Sequence, residues 1–203
     1  MRLPHSVTVW SCLAALWCAP LAPWSHASEQ AFPPPTLDVE HAGISHGLTL
    51  TGSDKRFVFI FRVYEIAHYL ESSAVADLEP QDVVTDGPAK AIAIRFARNL
   101  GVELIRKEFK TSIRRNAEEG WLEAAAPTIT AFMAAIDRDA QKGDQLVFFW
   151  LPGGQIRAEF NGEPAFRATD TTFAKLIWSI WFGADPVCDR EELLASLHAE
   201  RDA

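Results

Sequence analysis

Arg62 and Tyr64 stand two residues apart in the run Arg56-Phe57-Val58-Phe59-Ile60-Phe61-Arg62-Val63-Tyr64, which is dense in aromatic and β-branched residues. Such a run favours an extended strand. On a strand, residues two apart share a face and lie roughly 7 Å from one another. A guanidinium beside a phenol is a donor pair suited to a carboxylate: arginine offers forked, charge-assisted N–H bonds and tyrosine a neutral hydroxyl. Set in an apolar cleft, with Phe59, Phe61 and tryptophans along the tail, the pair fits an acidic apolar molecule. The competing account makes Arg62 a surface arginine in an ion pair and Tyr64 a core tyrosine with a satisfied hydroxyl.

Other chemistry is thin. Glu40, His41 and His46 match no common metal-ligand spacing, and no cysteine joins them, so loop residues are the better reading. Cys188 precedes a helix start, where a thiol pKa can fall. His198 is more than two turns along that helix, so a half-buried structural thiol is expected. Asp137 and Asp139 read as a solvated loop. The chain has no glycine-rich phosphate cradle, no nucleophile elbow and no metalloprotease helix. No cofactor and no metal are expected.

The elements that must position these residues follow from pattern. Gly52-Ser53-Asp54-Lys55 reads as a turn leading into the aromatic strand, and residues 57–63 contain no turn residue. Lys90 to Phe96 reads as a buried strand. Val102, Ile105, Phe109 and Ile113 recur at helical spacing among charges, and Ile129, Phe132, Met133 and Ile136 suggest a second helix. Gln145 to Leu151 and Gln155 to Phe160 form a meander, and Asn161-Gly162 is the pair favoured in a two-residue hairpin turn. Asp170 caps a helix with Phe173, Leu176, Ile177, Ile180 and Trp181 on one face, ended by Gly183. Trp178 falls off that stripe and either covers a cleft or meets another layer. Asp189 with Glu192 predicts a reciprocal cap on a last helix. Mixed elements joined by hairpins predict an α+β domain: a curved, largely antiparallel β-sheet with helices on one side.

At the N-terminus, Val7 to Trp24 carries no charge, is broken by Pro20 and Pro23, and is followed by Ser25-His26-Ala27. That reads as a secretory signal with a small-residue cleavage site, too short for a membrane span, rather than as a buried N-terminal helix. The expected organisation is signal peptide 1–27 with a cut near Ala27/Ser28, an extended proline leader 28–36, and a domain 37–203. No later segment is apolar and long enough to span a membrane. The location expected is periplasmic or secreted. The whole chain carries 27 acidic and 19 basic residues, a net charge of −8. Cleavage removes Arg2 and no acid, and leaves Cys188 as the sole cysteine. Nucleic acid is therefore no expected partner, the overall charge makes an anionic membrane unattractive, and no internal disulfide supports the fold.

The stretch Gly52 to Leu70, GSDKRFVFIFRVYEIAHYL, resembles the G-x-x-x-R…V-Y-x-x-x-x-Y-L core of bacterial chalcone isomerase-like proteins. Lys142-Gly143-Asp144, Asn161-Gly162 and the segment Phe173-Ala174 through Trp181-Phe182-Gly183-Ala184-Asp185-Pro186 are similar in order and spacing. The resemblance spans about Leu37 to Leu197. It implies a curved antiparallel sheet, packed helices and a ligand cleft between them. Members include plant enzymes that close a flavanone ring and relatives that bind fatty acids.

The resemblance places Arg56 on the family's cleft arginine, and Tyr64 where isomerases carry threonine and fatty-acid binders tyrosine. The isomerases also carry a tyrosine ahead of the helix matching Val102–Ile113; here the residues are Asn99-Leu100-Gly101, and the chain's only tyrosines are Tyr64 and Tyr69. That departure speaks against chalcone isomerisation. On one straight strand, however, Arg56 and Tyr64 would lie about 26 Å apart, so Arg62 is the better partner by spacing. The expected function is non-catalytic binding of a fatty acid or similar acidic apolar molecule through Arg56 or Arg62 with Tyr64. An isomerase or lyase on an unsaturated carbonyl compound, and a periplasmic structural or interaction protein, are the alternatives. The oligomeric state is open.

Overall fold

The aromatic run around Arg56 is extended, as its composition predicts, but it forms two strands. The computed structural model describes residues 31–58, 60–75 and 79–199. The signal segment with its cut, and Phe59, lie outside the described residues. Strand β1 (Thr36–His41) pairs with β2 (Ile44–Val58), and β2 turns back after Val58 into β3 (Phe61–Glu71). Val58 pairs with Phe61, so the chain reverses between them.

The turn expected at Gly52–Lys55 is not there, because that segment continues β2. Gly52 serves close packing instead. A Cβ on it would run into the carbonyl oxygen of Glu192 and stand 2.7 Å from the Leu193 carbonyl carbon. The C-terminal backbone crosses β2 so closely that a side chain has no room.

The other strands continue a meander: β4 (Lys90–Phe96), β5 (Gln145–Leu151), β6 (Gln155–Phe160) and β7 (Glu163–Thr169). All seven form one antiparallel sheet in chain order. Asn161 and Gly162, at φ 53° and 80°, make the turn from β6 to β7. The helices are α1 (Val102–Asn116), α2 (Trp121–Ala124), α3 (Ala126–Ala135), α4 (Thr171–Phe182), α5 (Arg190–Leu193) and α6 (Ala195–Ala199).

Helix α4 starts as its sequence predicts: Asp170 accepts the Phe173 N–H at 2.9 Å. It buries Phe173, Leu176, Ile177, Ile180 and Trp181 against Ile66, Ile92, Ile94, Phe148 and Trp150 of the sheet. Trp178 packs on the same sheet rather than covering a cleft or meeting another layer, edge-on to Trp150 at 5.3 Å. At α5, Asp189 accepts from the Glu191 and Glu192 N–H groups at 2.9 and 3.4 Å. The reciprocal half of that cap is replaced: the Asp189 N–H goes to Asp54 of β2 at 2.9 Å. The close crossing at Gly52 is what brings Asp54 within reach.

The helices cover one sheet face, as expected for the class. On the other face Ala67, Tyr69, Ala91, Ala93, Phe149 and Leu151 form a second buried cluster with Val39 and Leu48, and Phe32 and Leu37 pack against it. The proline leader is tied down there: Tyr69 donates to the Pro34 carbonyl at 3.0 Å, and the Leu50 N–H to the Pro35 carbonyl at 3.0 Å.

His68 on β3 is fully buried, with Thr51 Oγ1 at 2.7 Å from Nδ1. Thr51 has one proton, and the Leu193 carbonyl lies 2.9 Å from its oxygen. If that carbonyl takes the proton, Nδ1 donates to Thr51 and Nε2, which has no partner among the described residues, is a bare acceptor. Burial, aided by Lys90, pulls the His68 pKa from 6.5 down to about 3. Between those values the unfolded chain binds more protons than the folded one. Stability is therefore lost as pH falls from 6.5 towards 3, by up to about 1.4 kcal/mol per pH unit for this one group. Denaturant midpoints across that range are expected to show the slope, and His68→Asn to flatten it.

Candidate functional site

The β2–β3 register places Arg56 directly opposite Tyr64. Eight residues apart in the chain, they are cross-strand neighbours with Cβ atoms about 5 Å apart by ladder geometry. The long separation expected of one straight strand does not hold, because the reversal falls between them. The ladder then slips: Phe57 pairs with Arg62, so Val63 is an extra residue on β3. Val63 and Tyr64 both line a cavity of about 400 Å³, and Arg62 lies outside it. The bulge breaks the two-residue alternation on which the Arg62–Tyr64 pairing rested. Arg62 instead donates to Glu65 at 2.9 Å, and Glu65 also accepts from Arg95 Nε at 3.0 Å. Of the two arginine roles, Arg62 has the surface ion pair.

The cavity lies between β3 and β4 on one side and α1 and the end of α4 on the other. Its walls are mostly apolar: Val58, Val63, Ile94, Phe96, Leu100, Leu104, Ile105, Phe109, Ile180, Trp181 and Val187. Arg56 and Tyr64 stand in that wall together. Arg56 Nη1 donates to the Val187 carbonyl at 2.7 Å. The guanidinium makes no ion pair and no further hydrogen bond among the described residues, so several of its N–H groups remain for an acceptor.

Tyr64 is arranged as a donor. Trp181 Nε1 donates to the phenol oxygen at 3.2 Å, and Cys188 Sγ sits 3.9 Å away as a weak partner. Burial holds the phenol well above its usual pKa, with the neighbouring Cys188 adding to the rise. The proton therefore stays on the oxygen and is available for a ligand. Burial likewise pushes the Cys188 thiol up to about 12, so it is a neutral neighbour rather than a nucleophile. The sequence pattern marks Trp181 as a core residue only. Its apolar stripe hid the indole N–H at the helix end, and no local signal marks Val187 as the anchor for Arg56.

Asn99, at the position where a tyrosine hydroxyl was absent, lines the cavity, but its amide oxygen accepts the Lys142 N–H at 2.8 Å. Phe61 is on the surface under the Arg98 guanidinium, 5.3 Å from its ring centre, and does not line the cavity. His46 is 2.8 Å from Glu71. A second cavity of about 330 Å³ lies between α1, α3 and β5–β7, and Phe96, Ile105 and Phe109 line both. Phe109 is held edge-on by Phe132 and Phe148 at 5.3 and 5.9 Å.

A family model described as chalcone isomerase-like matches residues 33–195, which include all seven strands and the Arg56–Tyr64 pair. The chain belongs to the chalcone isomerase-like family. A fatty-acid binding protein of Arabidopsis thaliana has a similar structure, with a TM-score of 0.65 at 14% identity, covering 82% of this chain and 100% of that chain. No curated protein matches the sequence. The likeness to the Arabidopsis protein is one of fold. The chalcone isomerase-like domain described here thus sets the Arg56 guanidinium, without an ion pair among the described residues, and the Tyr64 phenol O–H in a largely apolar wall.

Proposed function

We propose that this chalcone isomerase-like protein is an exported, non-catalytic binder of a fatty acid or another acidic apolar small molecule. The observation that carries this reading is Arg56: a half-buried guanidinium with one carbonyl contact and no ion pair among the described residues, in the wall of a mostly apolar cavity. A carboxylate there receives charge-assisted bonds from Arg56 and one from Tyr64, while the tail lies against Ile94, Leu104, Ile105 and Phe109. The Arabidopsis fold relative, named for fatty-acid binding, supports the same reading.

Protein purified under native conditions is expected to release an acidic lipid on organic extraction, detected by mass spectrometry, and to bind a fluorescent fatty acid saturably once stripped. An open cavity with neither extractable ligand nor binding removes the proposal. Export rests on the residues before Ser28. Mass spectrometry of protein recovered from outside the cytoplasm is expected to show a start near Ser28.

An isomerase or lyase reading needs a general base beside the arginine. Tyr64 and Cys188 are held protonated, and Glu108, the one carboxylate lining the cavity among the described residues, is exposed on α1. No observation favours that reading.

Phe109, with Phe96 and Ile105, stands between the two cavities and so limits tail length in this proposal. Phe109→Ala is expected to join them and shift preference toward longer acyl chains. Each further methylene buried contributes about 0.8 kcal/mol, or about fourfold in affinity. A chain-length series in a displacement assay reads this directly; an unchanged preference would mean the second cavity takes no tail.

A further inference from the structure

Among the described residues, most of the exposed large apolar side chains sit in one place. Phe57, Val58, Ile60 and Phe61, exposed by 49%, 45%, 84% and 57%, form the tip of the β2–β3 hairpin, and Leu104 on α1 is exposed by 45%. Val58 and Leu104 also line the Arg56 cavity, so the patch runs into its mouth. An apolar tip there gains nothing from water and marks an interaction site.

The charge around the tip identifies the partner. Residues 55–64, KRFVFIFRVY, contain three cations and no acid, in a chain whose net charge is −8. Lys55, Arg62 and Arg98 are exposed, and Arg98 lies over the Phe61 ring. Glu65, the nearby acid on β3, is engaged by Arg62 and Arg95. A protruding apolar tip collared by cations matches an anionic lipid surface: apolar side chains enter the acyl boundary, and each cation near the surface contributes about 1 kcal/mol. The acidity of the rest of the chain is screened beyond a Debye length of about 8 Å at physiological ionic strength, so the local collar decides.

We infer that the β2–β3 hairpin tip docks on the surface of an anionic lipid bilayer, with Phe57, Ile60 and Phe61 inserted and Arg62 and Arg98 at headgroup level. The cavity mouth then opens onto the membrane, where an acidic amphiphile can pass between bilayer and protein. This last step rests on the binding reading given above; the docking itself does not.

The test is co-sedimentation of the purified protein with phosphatidylcholine vesicles and with vesicles half phosphatidylglycerol, at low and high salt, alongside fatty-acid binding in solution without vesicles. Binding to the anionic vesicles is expected, weaker at high salt and on phosphatidylcholine alone. Ile60→Glu is expected to weaken it about tenfold or more, and Arg62→Glu to weaken it and reduce its salt dependence. Both variants should bind fatty acid in solution as the parent does, since neither residue lines the cavity. No vesicle binding by the parent, or variants that bind vesicles equally well, overturns the docking and leaves the carrier reading intact. Tip-dependent vesicle binding without fatty-acid binding in solution supports the docking and removes the carrier reading. A dimer of the parent that Ile60→Glu dissociates, with vesicle binding unaffected, assigns the tip to a second copy and overturns the proposal.

Discussion

Arg56→Ala is expected to weaken fatty-acid binding by about thirtyfold, whereas Arg62→Ala leaves it within about twofold of the parent. Removing one partner of a buried, hydrogen-bonded charge pair costs about 2–5 kcal/mol, and the half-buried setting of Arg56 puts it near the lower end. Arg62 already spends its charge on Glu65 outside the cavity, and an exposed pair of that kind is worth about 1 kcal/mol or less to the fold. Arg56 also anchors the Val187 carbonyl, so Arg56→Gln is the sharper variant: it keeps a donor for that carbonyl and removes the charge. Calorimetric titration of the three variants reads the difference. Equal losses for Arg56→Gln and Arg62→Ala would refute the assignment of Arg56 as the carboxylate partner. Tyr64→Phe is expected to cost about 1 kcal/mol, a loss of about fivefold, because it removes one neutral hydrogen bond.

Trp178→Ala is expected to destabilise the domain by about 3–5 kcal/mol, the range for a large aromatic truncated in a packed core. The side chain is fully buried, and it packs edge-on against Trp150, whose ring centre lies 4.3 Å from the buried Lys90 ammonium. Its indole N–H has no partner among the described residues, so Trp178→Phe removes an unpaired donor and is expected to cost less. Denaturant unfolding gives both values. Ligand affinity of the folded Trp178 variants should be unchanged, because the residue lies outside the cavity. Trp181→Phe is the converse: it removes the donor to Tyr64 and is expected to lower affinity more than stability.

Elements governed by neighbours a few residues away were readable in the sequence. The stripes of α1 and α4, the Asp170 cap and the Asn161-Gly162 turn depend on helical period, one side-chain acceptor and tolerance of positive φ. The strand run Lys90–Phe96 also stands as expected, since burial on both faces leaves a continuous apolar string. Gly52 misled because glycine marks two different needs, a turn or a close approach, and the partner that distinguishes them is Glu192–Leu193, far along the chain. The true reversal carried no turn residue to announce it. The Glu192 half of the last cap failed for the same distant reason, since Asp54 arrives from β2 to take the Asp189 N–H.

Alone, the sequence determined the α+β class, the antiparallel habit, the helix faces and the residue types available to a carboxylate site, because propensity, periodicity and capping act over a few residues. The tertiary structure alone decided which arginine faces the cavity. That choice depends on a reversal between Val58 and Phe61, a bulge at Val63 and the approach of Val187. Each is a contact between segments whose separation in sequence says nothing of their distance in space, so strand register and close packing set the site where local pattern could not.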